Sequence, residues 1–141
     1  MDEEIAAEAR KAIDELTRTF FGAFTNKCGT RPDVDRLYRL FLPEAVICRR
    51  QGEACEIYRL AEFIEPRRRL LTEGRLLDFE ERELFGQTEV FGGIAQRFCT
   101  YGKAGVLDGR PYAGRGVKTI QFIKLRGEWR ISALAWEDEA T

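Results

Sequence analysis

The sequence predicts an α+β domain, with N-terminal helices laid on one face of a curved, mostly antiparallel sheet. Apolar residues recur at helical spacing only in the first half, and from residue 76 the period becomes alternating, with short glycine-bearing turns between runs. A chain of 141 residues suits one domain, 1–141. At this size folding removes roughly 68% of the unfolded chain's surface from water, enough for one core. The 44% apolar and 33% charged residues exclude collagen-like, mucin-like and intrinsically disordered classes.

Ile5, Ala9, Ala12, Ile13, Leu16, Phe20, Ala23 and Phe24 line one face of a long first helix, with Glu4, Glu8, Lys11, Asp14, Glu15 and Arg18 on the other. Asp14 and Arg18 stand four apart as a solvated pair worth about 0.3 kcal/mol. Residues 26–32 read as a loop. Asp33 then caps a short second helix carrying Val34, Leu37, Tyr38, Leu40 and Phe41, which Pro43 ends. Residues 45–49 form a short strand before a turn at 50–53. A third helix over 60–73 buries Phe63, Ile64, Leu70 and Leu71, and Pro66 predicts a kink or break near Glu65. Strands over 76–85, 90–103, 114–124 and 128–137 follow, with turns at Gly86-Gln87, Asp108-Gly109 and Arg126-Gly127. Glycines at 92, 93, 102, 105, 114 and 116 fit the bends and bulges that let a sheet wrap.

The chain contains no histidine, which removes Ser-His-Asp and Cys-His catalysis, His-ligated metals and the one side chain whose ordinary pKa lies near neutrality. Catalysis must then run on carboxylate, Tyr, Lys, Arg or thiol, and no cofactor or metal is implied. Cys28, Cys48, Cys55 and Cys99 show no C-x-x-C spacing and read as buried free thiols. A Cys48–Cys55 bridge across a hairpin is conceivable, but would not persist in a reducing cytosol. A net charge of −1 gives no field to draw nucleic acid or anionic lipid. The basic run Arg67-Arg68-Arg69 lacks interleaved aromatics and reads as a solvated helix face. No stretch approaches the ~18 apolar residues of a membrane helix. The start Met1-Asp2-Glu3-Glu4 has neither a basic nor an apolar leader region, so a cytoplasmic protein is expected.

Three segments carry a resemblance: Phe20-Phe21-Gly22-Ala23-Phe24, Leu40-Phe41-Leu42-Pro43-Glu44-Ala45 and Gly127-Glu128-Trp129-Arg130-Ile131. They resemble the nuclear transport factor two-like superfamily, and the closing run 129–138 is similar to uncharacterised bacterial members. The likeness spans nearly the whole chain. It implies a cone-shaped, cystatin-like α+β barrel, a homodimer, and a pocket between helices and concave sheet. SnoaL-like polyketide cyclases and ketosteroid isomerase belong to this superfamily. In steroid isomerases the late first helix offers a tyrosine to an oxyanion and the first strand a proton-moving carboxylate. Here those positions fall on Phe20 and near Cys48 or Arg49, and the histidine of scytalone dehydratase and SnoaL-type sites is missing. The resemblance therefore implies the pocket, with Phe20 at its wall, and not those chemistries.

Alternation along 76–85 puts Leu77, Phe79, Glu81, Glu83 and Phe85 on one face, aiming two mid-strand carboxylates at the cavity unless a bulge reverses the parity. Loss of water in a cavity disfavours an ionised carboxylate, a condition that acid/base catalysis exploits. Gln96 or Arg97 of the neighbouring strand must face inward. Arg97 then pairs with Glu81 or Glu83, the favoured reading, or holds a ligand carboxylate. Thr119 and Gln121 share a face with Val117 and Ile123 and are expected to reach the cavity. Tyr38, Tyr58, Tyr101 and Tyr112 are pocket material. Trp129 begins a core row with Ile131, Ala133 and Ala135, while Trp136 belongs to the cavity mouth or a dimer interface. The expectation is a small-molecule-binding protein, or a cofactor-free isomerase, cyclase or dehydratase, acting on an apolar or aromatic compound. Glu83 or Glu81 would move the proton, and Arg97 or Tyr101 would steady negative charge. Gln121, Trp136, Phe20, Tyr38 and Tyr101 form the expected ligand-binding set. The alternative is a non-catalytic dimeric association module.

Overall fold

A computed structural model describes residues 2–140. Helix α1 (Glu3–Gly22) starts at Asp2, whose side chain accepts the Glu4 N–H at 2.8 Å, and buries Ile13, Leu16, Phe20 and Phe21. Two 3-10 turns lead to α2 (Leu37–Leu40), then β1 (Phe41–Gln51), β2 (Ala54–Tyr58), α3 (Leu60–Thr72), β3 (Leu76–Phe91), β4 (Ile94–Leu107), β5 (Arg110–Leu125) and β6 (Glu128–Asp138). One curved sheet runs β2-β1-β6-β5-β4-β3, antiparallel except where β1 meets β6. The core lies between α1, α3 and its concave face, where Phe20, Ile13 and Ile64 meet Phe41, Ile47, Ile120, Phe122, Ile131 and Leu134. Asn26 fastens the layers: its amide donates to the Leu71 and Leu76 carbonyls at 3.0 and 2.7 Å, and its oxygen accepts the Phe79 N–H at 2.7 Å. Among the described residues no helix is long and apolar enough to cross a membrane.

Several expectations change. Gly86-Gln87 is not a turn: β3 passes through it, Gly86 pairs with Cys99, and the chain reverses at Gly92-Gly93. Gly86 is small for packing reasons, since a Cβ there would meet the Arg97 guanidinium at 2.5 Å and the Glu83 carboxylate at 2.6 Å. The expected second helix is only a 3-10 turn and one α-turn, because β1 begins at Phe41. Asp33 makes no capping bond and pairs instead with Arg36 at 3.5 Å. Pro43 lies between Phe41 and Val46, where the β1–β6 register shifts and no ladder N–H is needed. Helix α3 continues past Pro66, held on both sides by buried Phe63, Ile64 and Leu71. Strand β2 escaped the sequence reading because, as an edge strand with four of its five residues exposed, it carries no burial alternation. Of the cysteines only Cys99 is buried; Cys28 and Cys55 are exposed and Cys48 intermediate, and all four are free thiols.

Candidate functional site

A cavity of about 440 Å³ opens between α3 and the concave face. Helix α3 supplies Glu62, Phe63, Pro66, Arg67, Leu70 and Leu71; the sheet supplies Arg49, Tyr58, Leu76, Phe79, Glu81, Lys103, Tyr112, Lys118, Trp136 and Asp138. Apolar side chains thus share one small space with seven charged ones.

Two bulges determine which β3 residues reach this space. The register slips between Leu77 and Glu80, where Asp78 takes a φ of +51°, and again between Glu83 and Phe85. Phe79, Glu81 and Glu83 consequently face inward, whereas Leu77 and Phe85, expected beside them, are exposed. On β5 the inward set is Gly116, Lys118, Ile120 and Phe122. Lys118 is only 5% exposed. Its Nζ lies 3.6 Å from Glu81 Oε2, 4.1 Å from the Tyr101 ring centroid and 5.2 Å from that of Trp136. Burial pushes the Lys118 pKa down, against the opposing pull of the Glu81 charge.

Beside this pair, Asp138 accepts a hydrogen bond from the Tyr101 hydroxyl and faces Lys103 Nζ at 3.2 Å and Arg49 Nη2 at 3.5 Å. Burial opposes the Asp138 carboxylate, but the Tyr101 bond and the Lys103 charge outweigh it and hold its pKa below the usual aspartate value. Burial, and then the Asp138 bond, push Tyr101 far above an ordinary phenol. Tyr101 lies across Gly116, where a Cβ would collide with its hydroxyl and with the Glu137 carbonyl.

The helix-side wall carries Arg67. Its guanidinium carbon sits 4.1 Å from the Phe63 ring centroid, 5.2 Å from Trp136 and 5.9 Å from Tyr58, and Nη1 donates to the Phe63 carbonyl at 2.9 Å. Tyr58 and Trp136 stack with ring planes 12° apart.

Of the residues singled out in the sequence as catalytic or pocket material, Glu81, Tyr58, Tyr112 and Trp136 line the cavity. Glu83 and Arg97 do not: they bind each other through two hydrogen bonds of 2.8 and 2.7 Å, and Arg97 also reaches Asp14 at 2.7 Å and Thr88 at 2.6 Å. Asp14 therefore ties α1 to the sheet instead of pairing with Arg18. Tyr101 is wholly buried behind Asp138, and Phe20 lies in the core beside Phe21, Phe24 and Phe41. Gln121 and Thr119 are exposed, because the parity of β5 sends Lys118 and Ile120 inward instead. Tyr38 is 37% exposed and donates to Glu65, away from the cavity. A bulge at Ser132 splits the expected Trp129 row: Ile131, Leu134 and Trp136 are buried, Ala135 is exposed and Trp129 only partly buried.

Sequence reasoning missed Lys118, Asp138, Lys103, Arg49 and Arg67. Lys118 had a signal, a lone charge on the otherwise apolar Gly116, Ile120, Phe122 face. Arg67 had one too, lying four residues from both Phe63 and Leu71 and hence on the buried face of α3; Arg68 is half-buried against Asp35 and Glu65, and only Arg69 is exposed as the solvated-run reading expects.

Neither a protein-family profile nor any curated protein sequence matches the chain. Solved structures match along nearly its full length. A nuclear transport factor 2-like superfamily protein from Salmonella enterica superposes with a TM-score of 0.78 at 14% identity, covering 96% of this chain and 94% of its own. A cystatin-like-fold protein from Caulobacter vibrioides gives 0.72 at 17%, covering 94% and 91%. A type 2 hexachlorocyclohexane dehydrochlorinase, LinA, gives 0.81 at 13%, covering 99% and 90%. The chain has the nuclear transport factor two-like, cystatin-like fold.

Proposed function

We propose that the cavity is a small-molecule site performing cofactor-free acid/base chemistry of the isomerase or lyase kind. The observation that carries this reading is the Lys118–Glu81 pair: an ammonium and a carboxylate 3.6 Å apart, side chains 6% and 11% exposed, both lining the cavity. Burying such charges costs several kcal/mol per ion, a penalty characteristic of sites that use charge for chemistry. Glu81 accepts a proton from a carbon beside a carbonyl. Lys118 Nζ donates a hydrogen bond to the carbonyl oxygen as it becomes an oxyanion. The proton then returns at another carbon, or a neighbouring group leaves. Tyr101, Lys103 and Arg49 fix Asp138, and Asp138 keeps the cation-rich wall in register. That a dehydrochlorinase shares the fold is support by analogy alone. The test is hydrogen exchange in D2O, followed by NMR, across a panel of apolar ketones and aldehydes. Wild type should wash deuterium into the carbon adjacent to the carbonyl of at least one compound, and Glu81→Gln should lose this while still binding it. Exchange that survives Glu81→Gln would overturn the assignment.

A homodimer accompanies this reading, formed through the outer sheet face. Cross-strand neighbours Ile57, Cys48, Ala135, Thr119 and Phe98 make one uncharged row there, with Ile57 71% and Phe98 52% exposed. Light scattering should give twice the chain mass for wild type and the monomer mass for Phe98→Glu. If the dimer forms and no compound binds or exchanges, the association-module reading stands in its place.

A further inference from the structure

We infer that the ligand is a monocarboxylate with a compact apolar or aryl body, and that Arg67 grips its carboxylate. The inference rests on the cavity being the ligand site, as proposed above. Four cations, Arg49, Arg67, Lys103 and Lys118, line the cavity against three carboxylates, Glu62, Glu81 and Asp138. Three of the cations have carboxylate partners in place: Arg49 faces Asp138 at 3.5 Å and Glu56 at 3.9 Å, Lys103 shares Asp138, and Lys118 has Glu81. Among the described residues Arg67 has no carboxylate partner, and its one hydrogen bond goes to a carbonyl of its own helix. Arg67 is therefore the cavity cation without a carboxylate beside it.

Arg67 is also held ready. Three aromatic rings fix its guanidinium, so little side-chain freedom remains to be lost on binding. Burial strips its hydration and lowers its pKa, yet a guanidinium stays charged at neutral pH. A planar fork with free N–H groups matches a carboxylate bidentately. A phosphate dianion would bring a second negative charge toward Asp138 and Glu81, which line the same cavity, so the carboxylate is favoured. Phe79, Leu70, Leu71, Leu76 and Trp136 give the ligand's body an apolar bed, and a cavity of about 440 Å³ admits only a compact molecule.

The test is calorimetric titration with matched pairs of carboxylates and their primary amides, led by 3-phenylpropanoate and 3-phenylpropanamide, with phenyl phosphate as the dianion. Wild type should prefer the carboxylate over its amide at least 10-fold and bind phenyl phosphate more weakly than 3-phenylpropanoate. Arg67→Met should erase the preference without weakening amide binding. Arg67→Lys, which keeps the charge but loses the fork, should retain part of it. Melting curves of the free variants check that both fold. Equal binding of carboxylate and amide, or a preference that survives in Arg67→Met, overturns the inference and leaves the cavity as a ligand site. Failure of every carboxylate and amide to bind overturns the inference, while the proton-exchange test on ketones and aldehydes decides the proposed function separately.

Discussion

Glu83→Gln separates a structural ion pair from a catalytic carboxylate. The Glu83 side chain is 22% exposed and that of Arg97 9%, and the pair is joined by two hydrogen bonds of 2.8 and 2.7 Å that hold the Arg97 pKa above its ordinary value. Removing one partner of a buried pair costs about 3–5 kcal/mol when a charge is left uncompensated. Here Asp14 remains 2.7 Å from Arg97, and glutamine keeps one acceptor, which reduces the expected loss to about 2–3 kcal/mol. For a chain of 141 residues that lowers the melting temperature by about 8–10 °C. Thermal melts by circular dichroism measure it. Arg97→Met, which strands Glu83 beside Cys99, should cost more, and the double variant should be no less stable than Arg97→Met alone. A Glu83→Gln protein that melts with wild type but no longer binds ligand would refute this reasoning and return Glu83 to the site.

The Lys118→Met, Glu81→Leu double variant should match or exceed wild-type stability in urea while losing proton exchange, because apolar residues replace a buried ion pair at little cost; a loss beyond about 2 kcal/mol would make the pair structural. Asp138 has a depressed folded pKa, so the stability it contributes is complete above about pH 4 and is lost as pH falls through the folded value. Acid titration of Asp138→Asn should lack that segment of the curve. Burial pushes the Cys99 thiol up to about 12, so at pH 7.5 iodoacetamide should modify exposed Cys28 and Cys55 long before Cys99, as peptide mapping by mass spectrometry would show.

The helix-then-hairpin order, the inward stripe of α1 from Ala9 onward and the turns at Asp108-Gly109 and Arg126-Gly127 were legible because each depends on residues near in sequence; Ile5, expected on that stripe, is 54% exposed at the helix start. Simple alternation placed Leu77, Glu81, Glu83 and Phe85 together at the cavity; the bulges on either side leave Leu77 and Phe85 exposed, and of the two carboxylates only Glu81 lines it. Gly86 looked like a turn because a glycine demanded by a neighbouring guanidinium is indistinguishable in sequence from one demanded by a reversal.

Composition and periodicity alone settled that this chain forms helices over a sheet and must manage without histidine, since these follow from residue types and local spacing. Tertiary structure decided which charges meet. Glu81 faces Lys118 across 37 residues of chain, Tyr101 and Lys103 converge on Asp138, and Arg97 takes Glu83 out of the cavity. Those pairings depend on strand register and bulges, set by contacts between segments far apart in the chain, and so no local pattern encodes them.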